Sequence, residues 1–248
     1  DTLTNIENIS GSTQDDTLIG SSVNNSILGN AGNDTFIAGT DTNNDGTLDT
    51  WANDGNDYFD GGSGTGDWVD YNGIWDDATL GTNGISLTLD GANTAIVTVR
   101  GGTSDSLLNV ENVSGTQDSD SIKGDSQNNT IYGNAGSDIL SGEAGIDRLY
   151  GGTNNDTILG GSGDDTLVGE SGDDTLTGDT GNDKLYGGTL SGTTHTDSGT
   201  DTVNYSDALE TLTIDLQLSV TGGLVADGTI EGKSAGSTGT QGQGIDEL

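Results

Sequence analysis

Between Gly115 and Tyr186 an acidic side chain returns every nine residues, at Asp120, Asp138, Asp147, Asp156, Asp165, Asp174 and Asp183, with Asn129 in the remaining place. Earlier in the chain Asp16, Asn25 and Asp34 keep the same spacing, and Asp57 resumes it after an insertion. Carboxylate and amide oxygens in register are hard donors, and Ca2+ takes about six to eight of them. One turn cannot supply that many. If the chain coils with an 18-residue period, turns 18 positions apart stack, and both reach an ion between them. The paired acids are then Asp138 with Asp156, Asp147 with Asp165, Asp156 with Asp174 and Asp165 with Asp183.

From Gly115 onward each acid is the sixth residue of a unit opened by glycine. The units read GNAGSDILS, GEAGIDRLY, GGTNNDTIL, GGSGDDTLV, GESGDDTLT and GDTGNDKLY, opening at Gly133, Gly142, Gly151, Gly160, Gly169 and Gly178. An opening glycine lets the backbone take positive φ and turn its carbonyls to one side. Three residues of strand follow, and the middle one faces inward because side chains alternate. Those residues are Ile122, Ile131, Leu140, Leu149, Ile158, Leu167, Leu176 and Leu185, all aliphatic. A core one side chain wide explains how a chain with 28% hydrophobic and 4% aromatic residues folds.

A second metal pattern lies in Asp41, Asn43, Asp45 and Asp49. Their oxygens fall at alternating positions around Gly46, following the loop logic of an EF-hand. Ala52 stands where the bidentate Glu belongs and no flanking helices are evident, so the expectation is an isolated DxNxDG loop.

The nonapeptide is a calcium-binding repeat signature of parallel β-helices, and on these units the chain resembles RTX (repeats-in-toxin) proteins. The resemblance implies that carbonyls of the first four turn positions complete each calcium shell. In this chain those residues include Gly133, Ala135 and Gly136; Gly142, Ala144 and Gly145; Gly151 and Thr153; Gly160, Gly161, Ser162 and Gly163; Gly169, Ser171 and Gly172; and Gly178, Thr180 and Gly181. It also implies type I secretion, with the chain unfolded in a calcium-poor cytosol and folding outside the cell.

Composition points the same way. Five basic residues stand against 41 acidic ones, for a net charge of −36, and Leu, Ile, Val and Phe make up only about a fifth of the chain, near the level of disordered sequences. The metal-free chain is therefore expected to be largely unfolded. On the order of ten bound Ca2+ would cancel more than half of its self-repulsion. Nucleic acid and anionic membrane are poor partners for such a surface. No cysteine is present to staple the fold, and no apolar stretch is long enough to span a membrane. The sequence begins at Asp1 without a signal-peptide pattern, as expected of a processed product or a fragment.

The larger plan appears twice, offset by about 104 residues. NIENISG at Asn5–Gly11 returns as NVENVSG at Asn109–Gly115, and NNSILGNAGND at Asn24–Asp34 as NNTIYGNAGSD at Asn128–Asp138. DWVDYNG at Asp67–Gly73 returns as DTVNYSD at Asp201–Asp207, and ISLTLDG at Ile85–Gly91 as LTIDLQL at Leu212–Leu218. Alternation in ISLTL and AIVTV reads as antiparallel hairpins that close the open end of a roll. The expected fold is all-β: two calcium-binding parallel β-rolls with antiparallel capping segments. Its divisions are 1–66, a first roll carrying the DxNxDG insertion; 67–108, a capping or linking segment; 109–200, a second, longer roll; and 201–248, a capping segment and polar tail. The final Asp246-Glu247-Leu248 resembles the start of another copy, as in one period of a tandem or head-to-tail array.

Catalytic patterns are weak. His195 is the single histidine, too few for a zinc protease. Gly232–Gly236 matches GxSxG but lies in Gly/Ser/Thr-rich sequence rather than on a strand-turn-helix elbow. The carboxylates have spacings that metal turns already explain. Trp51, Trp68 and Trp75 read as hydrophobic plugs before a glycan platform. On one outer face of the second roll, Tyr132, Tyr150, Val168 and Tyr186 should line up beside Thr130, Arg148, Thr166 and Lys184, a stripe suited to being covered. The sequence thus reads as a non-enzymatic, calcium-dependent structural module of a secreted bacterial surface adhesin, surface layer or filament. Its expected partners are calcium and further copies of itself, with a surface glycan as a further candidate. The alternative is a folding and secretion appendage of an enzyme whose catalytic domain lies elsewhere.

Overall fold

The computed structural model describes residues 6–20, 23–38, 55–72, 84–91, 93–98, 104–188, 201–204, 212–217, 229–234 and 245–246. Every described regular element is a strand, and the chain divides into two compact units, Asp1–Asp125 and Ser126–Leu248.

The first unit holds β1 (Asn8–Ser10), β2 (Thr17–Ile19), β3 (Ser26–Leu28), β4 (Thr35–Ile37), β5 (Tyr58–Asp60), β6 (Trp68–Asp70), β7 (Ser86–Thr88), β8 (Ala95–Thr98), β9 (Ser104–Leu108), β10 (Asn112–Ser114) and β11 (Ser121–Lys123). β1, β3, β5 and β9 run side by side in parallel. β2, β4, β6 and β10 form the facing parallel sheet. The expected antiparallel hairpin is present as β7 and β8. It supplies two internal strands of the first sheet, with β8 antiparallel to β9 and β7 parallel to β11, rather than lying across an open end. Alternation explains this placement: Leu87 and Val97 are buried while Ser86 and Ile96 face out, so the hairpin extends the core row that Leu107 already occupies.

In the second unit come β12 (Thr130–Ala135), β13 (Ile139–Ala144), β14 (Arg148–Thr153), β15 (Thr157–Ser162), β16 (Thr166–Ser171), β17 (Thr175–Thr180), β18 (Lys184–Tyr186) and β19 (Thr202–Val203). Even-numbered β12 to β18 form one parallel sheet and odd-numbered β13 to β19 the other. Consecutive strands alternate between the sheets, which is a parallel β-roll. Several strands are six residues long, not three, because pairing continues into the turn: Asn134 still faces Gly152 and Ala135 faces Thr153. The unit also contains an antiparallel sheet of β20 (Leu212–Gln217), β21 (Thr229–Ser234) and β22 (Ile245–Asp246).

All eight aliphatic residues predicted to face inward are buried. The first unit buries Ile27, Phe36, Phe59, Val69, Leu107 and Val113 in the same role, with the Phe36 and Phe59 rings 5.4 Å apart. The outer stripe also forms in register: Tyr132 opposes Tyr150, Arg148 opposes Thr166 and Val168 opposes Tyr186. Tyr132 and Tyr150 stack at 4.6 Å. One position departs from expectation, since Val168 points outward by alternation yet is 0% exposed. It sits between two larger tyrosines on the flanking strands. The DxNxDG loop, Trp51, Trp75 and His195, together with the end of the GxSxG match, lie outside the described residues. Among the described residues no helix is long and apolar enough to cross a membrane.

Candidate metal centre

The periodic acids do meet at a separation of 18, but through the backbone. The N–H of Asp138 donates to Asp156 Oδ1 at 2.8 Å, Asp147 to Asp165 at 2.8 Å, Asp156 to Asp174 at 2.9 Å and Asp165 to Asp183 at 2.9 Å. Asn129 N–H donates to Asp147 in the same way at 2.7 Å. Each sixth-position carboxylate therefore caps the turn stacked before it with one oxygen. The contact within a pair is carboxylate to N–H, not carboxylate to carboxylate.

The first unit keeps this ladder across irregular spacing. Asp16 N–H donates to Asp34 Oδ1 at 2.9 Å, Asn25 to Asp57 at 2.7 Å over 32 residues, and Ile85 to Asp120 at 2.7 Å over 35. The ladder also recruits four acids outside the predicted set. Asp34 donates to Asp67 at 2.6 Å, Asp57 to Asp105 at 3.0 Å, Asp67 to Glu111 Oε2 at 3.0 Å and, in the second unit, Asp174 to Asp201 at 3.0 Å. The signal for them was present. Each precedes an inward aliphatic by two positions, as in Asp67-Trp68-Val69, and Gly61 holds the opening place of the turn that ends at Asp67.

A second ladder runs one residue earlier, in the opposite sense. Asn128 Oδ1 accepts the Ile146 N–H (2.7 Å), Asn155 the Asp173 N–H (3.0 Å) and Asp164 the Asn182 N–H (2.9 Å), with Asp15 and Asn33 (2.8 Å) repeating it in the first unit. Adjacent turn N–H groups are thus capped from opposite neighbours. This accounts for the Asx-Asx pairs in the sequence, which the nine-residue reading left unexplained.

The opening glycines do not take positive φ. That conformation falls to the second turn position, including Asn134 (79°), Glu143 (76°), Glu170 (75°) and Asp179 (68°), and to the fourth, including Gly136 (113°), Gly145 (128°), Gly163 (142°) and Gly181 (152°). Glycine is required at the opening for space. A Cβ on Gly160 would meet Asp165 Oδ2 at 2.6 Å and the Gly178 carbonyl oxygen at 2.8 Å. The turn residues expected to lend carbonyls, from Gly133–Gly136 to Gly178–Gly181, lie at the corners of this stack beside their own carboxylates.

While Oδ1 is satisfied, the other oxygen is left for something else. Oδ2 of Asp34, Asp57, Asp67, Asp156 and Asp165 is buried with no hydrogen-bond partner. Burial pushes Asp156 up to about 7, reinforced by the charges of Asp174 and Glu170 and opposed by the Asp138 N–H. Glu111 likewise rises to about 7, and Asp57 and Asp120 to about 6, each chiefly through burial. Desolvation raises Asp67, Asp105 and Asp165 too. A buried anionic oxygen without a donor is costly, and a hard cation would remove that cost. The donor set here contains only oxygen, which fits Ca2+. Among the described residues no three acidic or imidazole groups converge, so the remaining ligands have to come from the turn backbone. Asp41, Asn43, Asp45 and Asp49 are not among the described residues.

The family described as RTX calcium-binding nonapeptide repeat (4 copies) matches residues 10–44, 51–66, 114–149, 141–176 and 168–189, together just over half of the chain. No curated protein matches it.

Proposed function

This chain belongs to the RTX calcium-binding nonapeptide repeat family, a calcium-binding structural repeat of secreted proteins, and from its duplicated plan we infer a calcium-dependent structural module of a bacterial surface adhesin, surface layer or filament. Ca2+ is its cofactor, bound at several sites. We assign the ions to the turns, held by the sixth-position oxygens: Asp16, Asn25, Asp34 and Asp57 in the first unit, and Asp120, Asn129, Asp138, Asp147, Asp156, Asp165, Asp174 and Asp183 along the second plan. Asp67, Asp105, Glu111 and Asp201 are added by the ladder. Bound calcium supplies charge neutralisation, and the chain's own residues do the rest: the carboxylates cap the preceding turn, and the glycines keep the coils close enough to share an ion. Without the metal the stack keeps its hydrogen bonds but retains unpartnered buried oxygens, which favours unfolding in calcium-poor cytosol and type I export.

The observation behind the surface-fibre reading is the duplicated plan, with roll phrases and hairpin phrases each written twice in one chain. A repeated, stacking architecture suits an extended support, and a stack of coils extends by adding coils. Electron microscopy with calcium and with chelator tests it. Filaments or end-to-end oligomers in calcium alone support the reading; separate single chains under both conditions overturn it.

A further inference from the structure

The acids of the first unit differ in what meets their second oxygen. Asp34, Asp57 and Asp67 each accept one backbone N–H with Oδ1 and bury an Oδ2 that has no hydrogen-bond partner. Asp105 is as deeply buried, at 1% exposure, yet both of its oxygens are taken. Oδ1 accepts the Asp57 N–H at 3.0 Å, and Oδ2 accepts the Tyr71 hydroxyl at 2.9 Å. Asp120 is closed in the same way. Its Oδ1 accepts the Ile85 N–H at 2.7 Å and the Thr116 hydroxyl at 2.9 Å, and its Oδ2 accepts the Thr116 N–H at 2.7 Å.

Both closures have a source in the sequence. Tyr71 stands two residues after the inward Val69, on the same side of the chain by alternation, and among the described residues it is the largest side chain buried completely. Thr116 holds the second turn position, where Asn134, Glu143, Glu170 and Asp179 take positive φ. A β-branched residue avoids that conformation, and here the N–H turns instead to the carboxylate four residues on.

The two closed carboxylates flank the β7–β8 hairpin. Asp105 lies on β9, which pairs with β8, and Asp120 immediately precedes β11, which pairs with β7. Apolar burial is concentrated here too. A nine-residue unit of the second roll contributes one inward aliphatic, whereas the hairpin and its strand ends bury Ile85, Leu87, Leu89, Ala95 and Val97, and Val110 fills the turn from β9 to β10.

We propose that the β7–β8 hairpin and the strands it joins form a part of the first unit that holds its fold without calcium, the Tyr71 and Thr116 hydroxyls meeting carboxylate oxygens that elsewhere in the ladder are left for a cation. This rests on the calcium assignment above and sets its boundary. A hydroxyl donating to a carboxylate makes a charge-assisted bond, stronger than one between neutral groups, so Asp105 and Asp120 keep their places in the ladder without needing the ion. Asp57 gives its N–H to Asp105 while its own Oδ2 is open, so dependence on the metal begins one rung from the hairpin. Calcium then orders the Asp57 turn against a rung already in place.

Hydrogen exchange of the chain, read by mass spectrometry in calcium and in chelator, tests this. In chelator the amides of β7, β8, β9 and β11 should keep protection at least about tenfold above those of β12 to β17. Equal exchange of the two groups in chelator, with both protected in calcium, overturns the proposal and leaves the calcium reading standing. Equal protection of β12 to β17 in calcium and in chelator overturns both. Tyr71→Phe keeps the ring and Thr116→Val the branched shape, so each removes only the hydroxyl. The expected result is loss of the chelator-resistant protection, at β9 in the first variant and at β11 in the second, with circular dichroism in calcium as for the wild type. Protection in chelator that survives both substitutions means that packing alone holds the hairpin, and overturns the role of the hydroxyls.

Discussion

Replacing Gly163 by Ala tests how closely the coils approach. Gly163 has φ 142°, and a Cβ there would land on the carbonyl oxygen of Gly145, the equivalent residue one coil earlier. That conformation costs a non-glycine residue about 1–3 kcal/mol, and forcing an extra carbon between packed groups costs about another 1–3 kcal/mol. The obstacle is backbone, pinned by hydrogen bonds from Gly145 N–H to Ser162 O (2.9 Å) and from Gly163 N–H to Thr180 O (2.8 Å), so it cannot swing aside. The sum is roughly 2–6 kcal/mol, which for a chain of this size lowers the melting temperature by roughly 5–20 °C. Gly66→Ala is the matched control. The atoms nearest its Cβ would be those of the Asn33 side chain, at 3.1 Å, which can rotate away, so its change should stay within about 1 kcal/mol. Thermal melts of both variants in excess calcium, followed by circular dichroism, give the comparison. Equal melting temperatures would refute the claim that turn glycines are set by contact between coils.

Asp156→Asn keeps the acceptor for the Asp138 N–H but removes a buried charge, so it should raise the residual structure of the chelated protein at pH 8. In calcium the sign reverses, and titration calorimetry should show a loss on the order of tenfold in affinity at one site, about 1.4 kcal/mol. The pH response of the chelated form follows from the raised acids, with Asp57 and Asp120 at about 6 and Glu111 and Asp156 at about 7. Because their folded values exceed the unfolded ones, their contribution is fully present below about pH 4 and is lost as pH rises through about 6–7. Ordered signal in chelator should therefore fall between those limits, and a rise would contradict the burial of these groups. Leu149→Ala should cost about 2–5 kcal/mol in a calcium-saturated denaturant melt, since Leu149 is fully buried in a row one side chain wide.

Much of this architecture was legible because nine-residue spacing is a local property. Glycine, Asp and an aliphatic at set places define one turn and one strand, and repetition at 18 forces equivalent strands side by side. The eight inward residues and the tyrosine register were accordingly readable from the row of letters. The role of the opening glycine was not, since space between coils rather than φ governs it. The Asx-Asx ladder also needed three-dimensional neighbours to acquire meaning.

By itself the sequence determined the repeating unit, its single aliphatic row and its match to a hard cation. Tertiary structure alone decided which strands meet where the spacing breaks, bringing Asp57 to Asp105 over 48 residues and Asp67 to Glu111 over 44. A loop can leave a coil and return to the same rung at an entropic cost that grows only slowly with its length. Insertions therefore erase the period from the sequence while leaving the stack intact.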